Sequence, residues 1–82
     1  TVKVGASTVT TSNMGTVTKK VFSATAKVTV TSAAENIYVN GTKVTSGSEI
    51  TFSTPSGSTN YVQIITQSGT EAPYITMVKI TR

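Results

Sequence analysis

The side chains that could catalyse a reaction or hold a metal ion are few. The chain has 82 residues with no His and no Cys, and its only carboxylates are Glu35, Glu49 and Glu71. Without thiols and imidazoles, the usual zinc sites, disulfides and Ser-His-Asp triads are excluded. The glutamates are scattered between predicted strands, which disfavours both a calcium site and the carboxylate pair of a glycosidase. We therefore expect no enzyme, no catalytic residue, no metal and no cofactor.

An isopeptide cross-link between a Lys and an Asn, assisted by a carboxylate, is a covalent chemistry that these residues still allow. Lys27, Glu49 and either Asn36 or Asn60 are its candidates. Lys27 lies on the polar side of an alternating segment, so its amine is expected outside the core, without the desolvation that activates a lysine. The sequence therefore does not favour a cross-link.

Three tyrosines, Tyr38, Tyr61 and Tyr74, could form a flat ligand platform, because aromatic faces stack against the apolar faces of sugar rings. The chain has no Trp and five aromatic residues in all. The alternative is that these rings pack in the core or fill strand faces. A glycan partner therefore stays open beside a purely structural role.

The net charge of +4 is spread along the chain with one adjacent pair. A nucleic-acid-binding protein is expected to cluster its basic residues and interleave them with aromatic ones. We therefore expect no nucleic-acid partner, and lysines that keep a β-surface soluble and protect its edges. The longest apolar runs have two or three residues, so no membrane insertion is expected.

The elements that must position these side chains are strands. Thr occurs 18 times, Val 11 times and Ile six times, while Leu is absent. Residues branched at Cβ lose side-chain freedom in helices and pack well on sheets. A chain of this length encloses one core, so residues 1–82 are predicted to form a single all-β domain.

Alternation and turn residues place most of the strands. Phe22 to Ser32 alternates apolar and polar residues, with Phe22 on the apolar side, and turn signals recur every eight to twelve residues. This spacing predicts an immunoglobulin-like antiparallel β-sandwich of about seven strands. The predicted core consists of Val28, Val30, Ile37, Val39, Val44, Ile50, Phe52, Val62, Ile64, Val78 and Ile80.

A tight hairpin turn is predicted at Asn40 and Gly41. These residues separate two apolar segments, and Asn-Gly favours a type I′ turn, in which both central residues have positive φ. With Thr42 they also form an N-glycosylation triplet, but the hairpin explains the same residues.

The first 20 residues give a weaker pattern. Val2 and Val4 alternate with Lys3, and residues 1–12 offer few further apolar anchors. We predict one or two strands here. They form an edge strand of the domain or an arm that is exchanged with the sheet of a neighbour.

From residue 28 onward the chain resembles the bacterial cadherin-like β-sandwich family, an immunoglobulin-like module that is repeated in large surface proteins. The matching features are Val28–Ser32, Ile37–Gly41, Val44–Gly47, Ile50, Gly57–Asn60, Val62, Ile64, Ser68–Thr70 and Lys79–Arg82. The resemblance covers about two thirds of the chain. It implies a spacer or interaction module without a catalytic site.

The function expected from the sequence is structural. We expect a non-enzymatic module of a surface assembly, either a bacterial cell-surface or filament protein or an outer, decorating protein of a phage virion. Its partners would be protein neighbours, copies of the same chain included, and its location extracellular, on a cell or on a virion surface. The alternative is a small carbohydrate-binding or adhesive module.

Overall fold

The computed structural model describes residues 1–82 and consists of strands joined by turns and loops, which confirms the all-β prediction. The strands are β1 (Val2–Val4), β2 (Ser7–Val9), β3 (Gly15–Lys20), β4 (Thr25–Val30), β5 (Asn36–Val39), β6 (Thr42–Val44), β7 (Glu49–Ser53), β8 (Thr59–Gln67) and β9 (Tyr74–Thr81). The count of nine corrects the expected seven. The excess lies in the first 20 residues, where β1, β2 and β3 replace the one or two strands that were expected. No helix is long and apolar enough to span a membrane.

The strands form two sheets. One has four strands in the order β2-β1-β4-β7, and the other has five in the order β3-β9-β8-β5-β6. All pairings are antiparallel except β3 with β9, which run parallel from the Gly15 and Thr76 pair to the Lys20 and Thr81 pair. The expectation of a purely antiparallel sandwich is therefore wrong at one edge of the larger sheet.

The core lies between the sheets and is built mainly from β-branched side chains. One apolar cluster contains Val2, Val4, Val9, Ala26, Val28, Val30, Ile37, Val39, Val62, Ile64, Val78 and Ile80. Eight of the eleven predicted core residues belong to it, and Val44, Ile50 and Phe52 pack against it partly buried. The alternation of side chains along a strand explains this agreement, because every second residue faces the opposite sheet.

Phe22 was expected on the apolar side of its strand, and it is instead 80% exposed. The strand that it was predicted to begin starts only at Thr25. The backbone of Val21 bonds to the end of β9, with its N–H 2.8 Å from the Thr81 carbonyl oxygen, and Val21 packs against the core. The chain then bends over residues 23 and 24, which breaks the alternation and leaves the phenylalanine ring outside.

The N-terminal segment is held more firmly than its sequence indicates. Strand β1 lies inside the smaller sheet, with β2 on one side and β4 on the other. Val2, Val4 and Val9 are buried, so all three valines of this segment contribute to the core. The edges of the sheets near this segment are β2 and β3.

The two ends of the 41 Å long axis contain different parts of the chain. The Thr1 ammonium donates to the carbonyl oxygen of Thr31, just after β4 ends. At the other end of β4, Ala24 accepts a hydrogen bond from the Thr54 N–H, and Arg82 in turn donates to the Thr54 carbonyl oxygen. We call these the Thr1 end and the Arg82 end.

Candidate functional site

The three tyrosines do not share one surface. Tyr38 and Tyr61 lie on the outer face of the five-stranded sheet, since the residues that alternate with Tyr61 along β8 are buried. Tyr38 pairs with Ile65, four residues beyond Tyr61 on β8, which separates the two tyrosines by about 13 Å along the strand. Tyr74 lies on the other face of this sheet, which faces the smaller sheet, and its hydroxyl is 2.9 Å from Thr11 Oγ1. A platform of all three rings is not formed.

Tyr74 instead lines a cleft of about 230 Å³ at the Thr1 end, which we call the threonine cleft. Most of the other side chains around it carry hydroxyl groups. The full lining is Thr1, Val2, Thr11, Val30, Thr31, Ser32, Ile64, Thr66, Tyr74 and Thr76. This cleft offers one aromatic ring and several hydroxyl groups to a ligand.

Apolar side chains form a continuous row across the outer face of the five-stranded sheet. Strand register places Ile65 opposite both Tyr38 and Ile75. Met14 continues the row, because its N–H is 2.6 Å from the Ile75 carbonyl oxygen. We call Met14, Ile75, Ile65 and Tyr38 the outer apolar row. Met14 is 77% exposed, and the other three are half-buried.

The outer apolar row is unusual for its position. The solvent face of an antiparallel sheet normally carries polar residues. Next to the row, Met14 and Ile75 line a shallow depression of about 140 Å³, together with Gln63 and Met77. The face therefore combines exposed apolar area with a concave shape, both of which are features of protein contact surfaces.

A second concave surface lies at the Arg82 end and is basic. It has a volume of about 480 Å³ and is formed by the β1–β2 turn, the last residues of β3, the β3–β4 connection and the first part of β4. Lys19, Lys20 and Lys27 line it, with no carboxylate among the lining residues. The exposed Phe22 also lines it, and the Lys20 Nζ lies 6.0 Å from the centre of the Phe22 ring, within range of a cation–π contact. We call this surface the basic cleft.

The three glutamates come from separate segments near the Thr1 end. Glu35 lies in the β4–β5 loop, Glu49 begins β7, and Glu71 lies in the β8–β9 loop. No three of the chain's carboxylates come close enough together to hold a metal ion.

The residues considered for an isopeptide cross-link are spread over both sheets. Lys27 is exposed opposite Thr51 on the smaller sheet, whereas Asn36 pairs with Gln67 in the larger one. The Asn60 amide donates to the Ser53 carbonyl oxygen. No buried group of Lys, Asn and Glu is formed.

Asn40 and Gly41 form the turn between β5 and β6, with φ angles of 50° and 82°. Val39 and Thr42 pair directly on either side of the turn. These two positive φ values fit a type I′ turn, in which Gly and Asn are favoured.

Sequence reasoning missed both the outer apolar row and the basic cleft. Paired apolar residues at Ile64 and Ile65 break the alternation of β8 and are the local signal for an apolar outer face. For the cleft, the signal is an aromatic residue, Phe22, close behind the only adjacent lysine pair, Lys19 and Lys20. Comparison of the chain with protein-family models, curated proteins and solved structures found no match.

Proposed function

We propose that this chain is a non-enzymatic structural and interaction module of an extracellular surface assembly. The assembly would belong to a bacterial cell surface or filament, or to the outside of a phage virion. The single observation that carries the proposal is the outer apolar row. Its four side chains come from three neighbouring strands and the turn before β3, and they lie on a face that the domain itself leaves uncovered.

We further infer that the sandwich is of the immunoglobulin-like type. The sheets place β1, β4 and β7 opposite β5, β8 and β9. This arrangement matches strands A, B and E opposite C, F and G of immunoglobulin domains. The resemblance of residues 28–82 to bacterial cadherin-like modules supports the same assignment.

A protein neighbour is the occupant that suits the outer apolar row. Removing apolar surface from water contributes about 25 cal/mol per Å², so covering the exposed part of each side chain in the row favours binding. Ile65 and Ile75 are already partly ordered by their strands, so covering them costs little conformational entropy. The polar and charged residues that flank them on the same face, Gln63 and Lys79, would lie at the rim of such a contact.

Photo-crosslinking in cells that naturally produce the protein tests this proposal. Tyr38 is replaced by p-benzoylphenylalanine, which keeps an aromatic ring in the outer apolar row. The control carries the same group at Thr51, which is exposed on the outer face of the smaller sheet. We expect a protein adduct from position 38 in the extracellular fraction. The absence of an adduct at position 38, or equal adducts from both positions, would contradict the proposal.

The second candidate is a small carbohydrate-binding or adhesive module, and the threonine cleft is the observation that favours it. Tyr74 offers a ring for stacking, and Thr31 and Thr66 add hydroxyl groups to the lining around it. A glycan array with the wild-type protein and the Tyr74→Ala variant tests this function. A hit that disappears in the variant but persists in Tyr61→Ala would establish it.

A further inference from the structure

The charged side chains are distributed unequally along the long axis. Five of the seven cationic residues lie towards the Arg82 end: Lys19, Lys20, Lys27, Lys79 and Arg82. Lys43 lies on β6, away from the basic cleft, and Lys3 lies at the Thr1 end, level with Glu49 across Thr29. All three carboxylates of the glutamates lie near the Thr1 end. The domain therefore has a basic end and, where the three glutamates outnumber Lys3 and the Thr1 ammonium group, a weakly acidic end.

These charges are exposed and are not paired within the chain. Glu35, Glu49 and Glu71 are all exposed, as are Lys20 and Lys27. None of the side-chain hydrogen bonds of the domain involves a glutamate carboxylate or a lysine ammonium group. The lysine ammonium groups and the glutamate carboxylates can therefore meet an oppositely charged surface without first breaking a hydrogen bond of their own.

The basic end also has the shape and the apolar anchor of a docking site. Phe22 is 80% exposed beside the basic cleft, and Lys20 lies against its ring. A large aromatic residue surrounded by charge is a common centre of a protein contact, where the ring supplies affinity and the charges select the partner. The acidic end of a second copy has the complementary charge.

We propose, building on the assembly role above, that copies of this chain associate head to tail. The basic cleft and Phe22 of one copy receive the acidic end of the next. Because the two surfaces differ, an associated pair still has one free basic cleft and one free acidic end, and the contact can repeat along a filament. Successive copies would be spaced by about the 41 Å length of the domain.

Association should depend on salt, because copies that each carry a net charge of +4 repel one another at long range. At about 0.1 M salt the Debye length is about 10 Å, which screens repulsion between distant charges of neighbouring copies but leaves charges in direct contact attractive. At about 1 M salt the attraction at the contact is also screened. We therefore expect head-to-tail association at moderate salt and its loss at high salt.

A charge-swap experiment tests the contact. One variant combines Lys20→Glu with Lys27→Glu, and a second combines Glu35→Lys with Glu71→Lys. The control is Lys43→Glu, compared with the single variant Lys20→Glu, because the two change the net charge equally and Lys43 lies on β6, away from the basic cleft. All positions are exposed, and circular dichroism verifies that the folds are intact.

Association is measured by sedimentation velocity and small-angle X-ray scattering up to about 1 mM, where even a weak contact is half formed. We expect each swap variant to associate at least about tenfold more weakly than the wild type and the control. Mixing the two swap variants should restore association, because each then meets an opposite charge. The maximum dimension of the dimer should approach twice the 41 Å of one copy.

Three results would overturn head-to-tail association. They are a wild type that stays monomeric at moderate salt, a mixture of swap variants that stays monomeric, and a dimer that grows in width while its length stays near 41 Å. The last result would instead indicate a side-by-side contact such as the outer apolar row would make. Crosslinking from position 38 does not depend on these charges, so it tests the proposed function independently of head-to-tail association.

Discussion

Asn40 binds Gln63 through two hydrogen bonds that together replace one step of a backbone ladder. The Asn40 N–H donates to the Gln63 carbonyl oxygen at 2.8 Å, and the Gln63 N–H donates to Asn40 Oδ1 at the same distance. The side chain thus supplies the acceptor that the backbone loses when the chain turns. This turn therefore fixes the register of β5 on β8 as well as that of β6 on β5.

Replacing Gly41 by Val should destabilise the domain by about 1 to 3 kcal/mol. Gly41 has a φ of 82°, which a β-branched residue adopts only with strain. The control is Thr42→Val, one residue later at the start of β6 and also exposed, which should change stability little. Urea unfolding of both variants measures the difference. Equal midpoints would show that the turn tolerates a β-branched residue at position 41.

Removing the hydroxyl group of Thr54 should destabilise the Arg82 end. Thr54 is fully buried, and its Oγ1 donates to the Ser23 carbonyl oxygen at 2.6 Å. Thr54→Val keeps the shape but leaves that carbonyl oxygen without this donor, at a cost of about 1 to 3 kcal/mol. Ser58→Ala is the matched comparison, because Ser58 Oγ is buried without a hydrogen-bond partner and its removal should cost nothing. A larger loss at Ser58 than at Thr54 in thermal unfolding would contradict this assignment.

The two phenylalanines should respond differently to truncation. Phe52 packs against the core, so Phe52→Ala should cost at least about 2 kcal/mol. Phe22 is largely exposed, and Phe22→Ala should stay within about 0.5 kcal/mol of the wild type. Denaturant titrations of the two variants make the comparison. A strongly destabilised Phe22→Ala protein would indicate that the Phe22 ring packs in the core.

Deleting residues 1–12 should unfold the domain. The deletion removes β1 and β2 with their three buried valines, and it exposes the hydrogen-bonding edge of β4. Two point variants localise the effect. Val4→Thr should lower the stability of the domain by about 1 to 3 kcal/mol because it buries a hydroxyl group. Lys3→Thr, on the exposed side of the same strand, should change stability little. A truncated protein with a cooperative melting transition would instead mean that β1 is dispensable, as expected of an exchanged arm.

Local alternation was sufficient to predict most of the core. Val28 and Val30, or Val78 and Ile80, face inward because a strand turns every second residue to the same side. The prediction failed at Phe22, where two small residues that could continue an alternating pattern form a bend instead. Whether such a segment is extended depends on tertiary contacts, here those of Thr54 with Ser23 and Ala24.

The candidate surfaces were harder to predict than the core because they depend on register between distant segments. Met14 and Tyr38 share a row only because β9 and β8 lie between them. The same is true of the basic cleft, in which Lys27 joins Lys19 and Lys20 from another sheet. A single sequence shows each of these residues but not the pairing that brings them together.

The position of Thr1 and Arg82 at opposite ends of the long axis has a mechanical consequence. Tension applied between these two residues runs along the strands, with β1 pulled against β2 and β4, and β9 pulled against β3 and β8. Hydrogen bonds between strands lie across that direction, so the pull loads them together in shear. Several must break in the same event before either strand slides, and the domain is therefore built to resist stretching rather than to unzip.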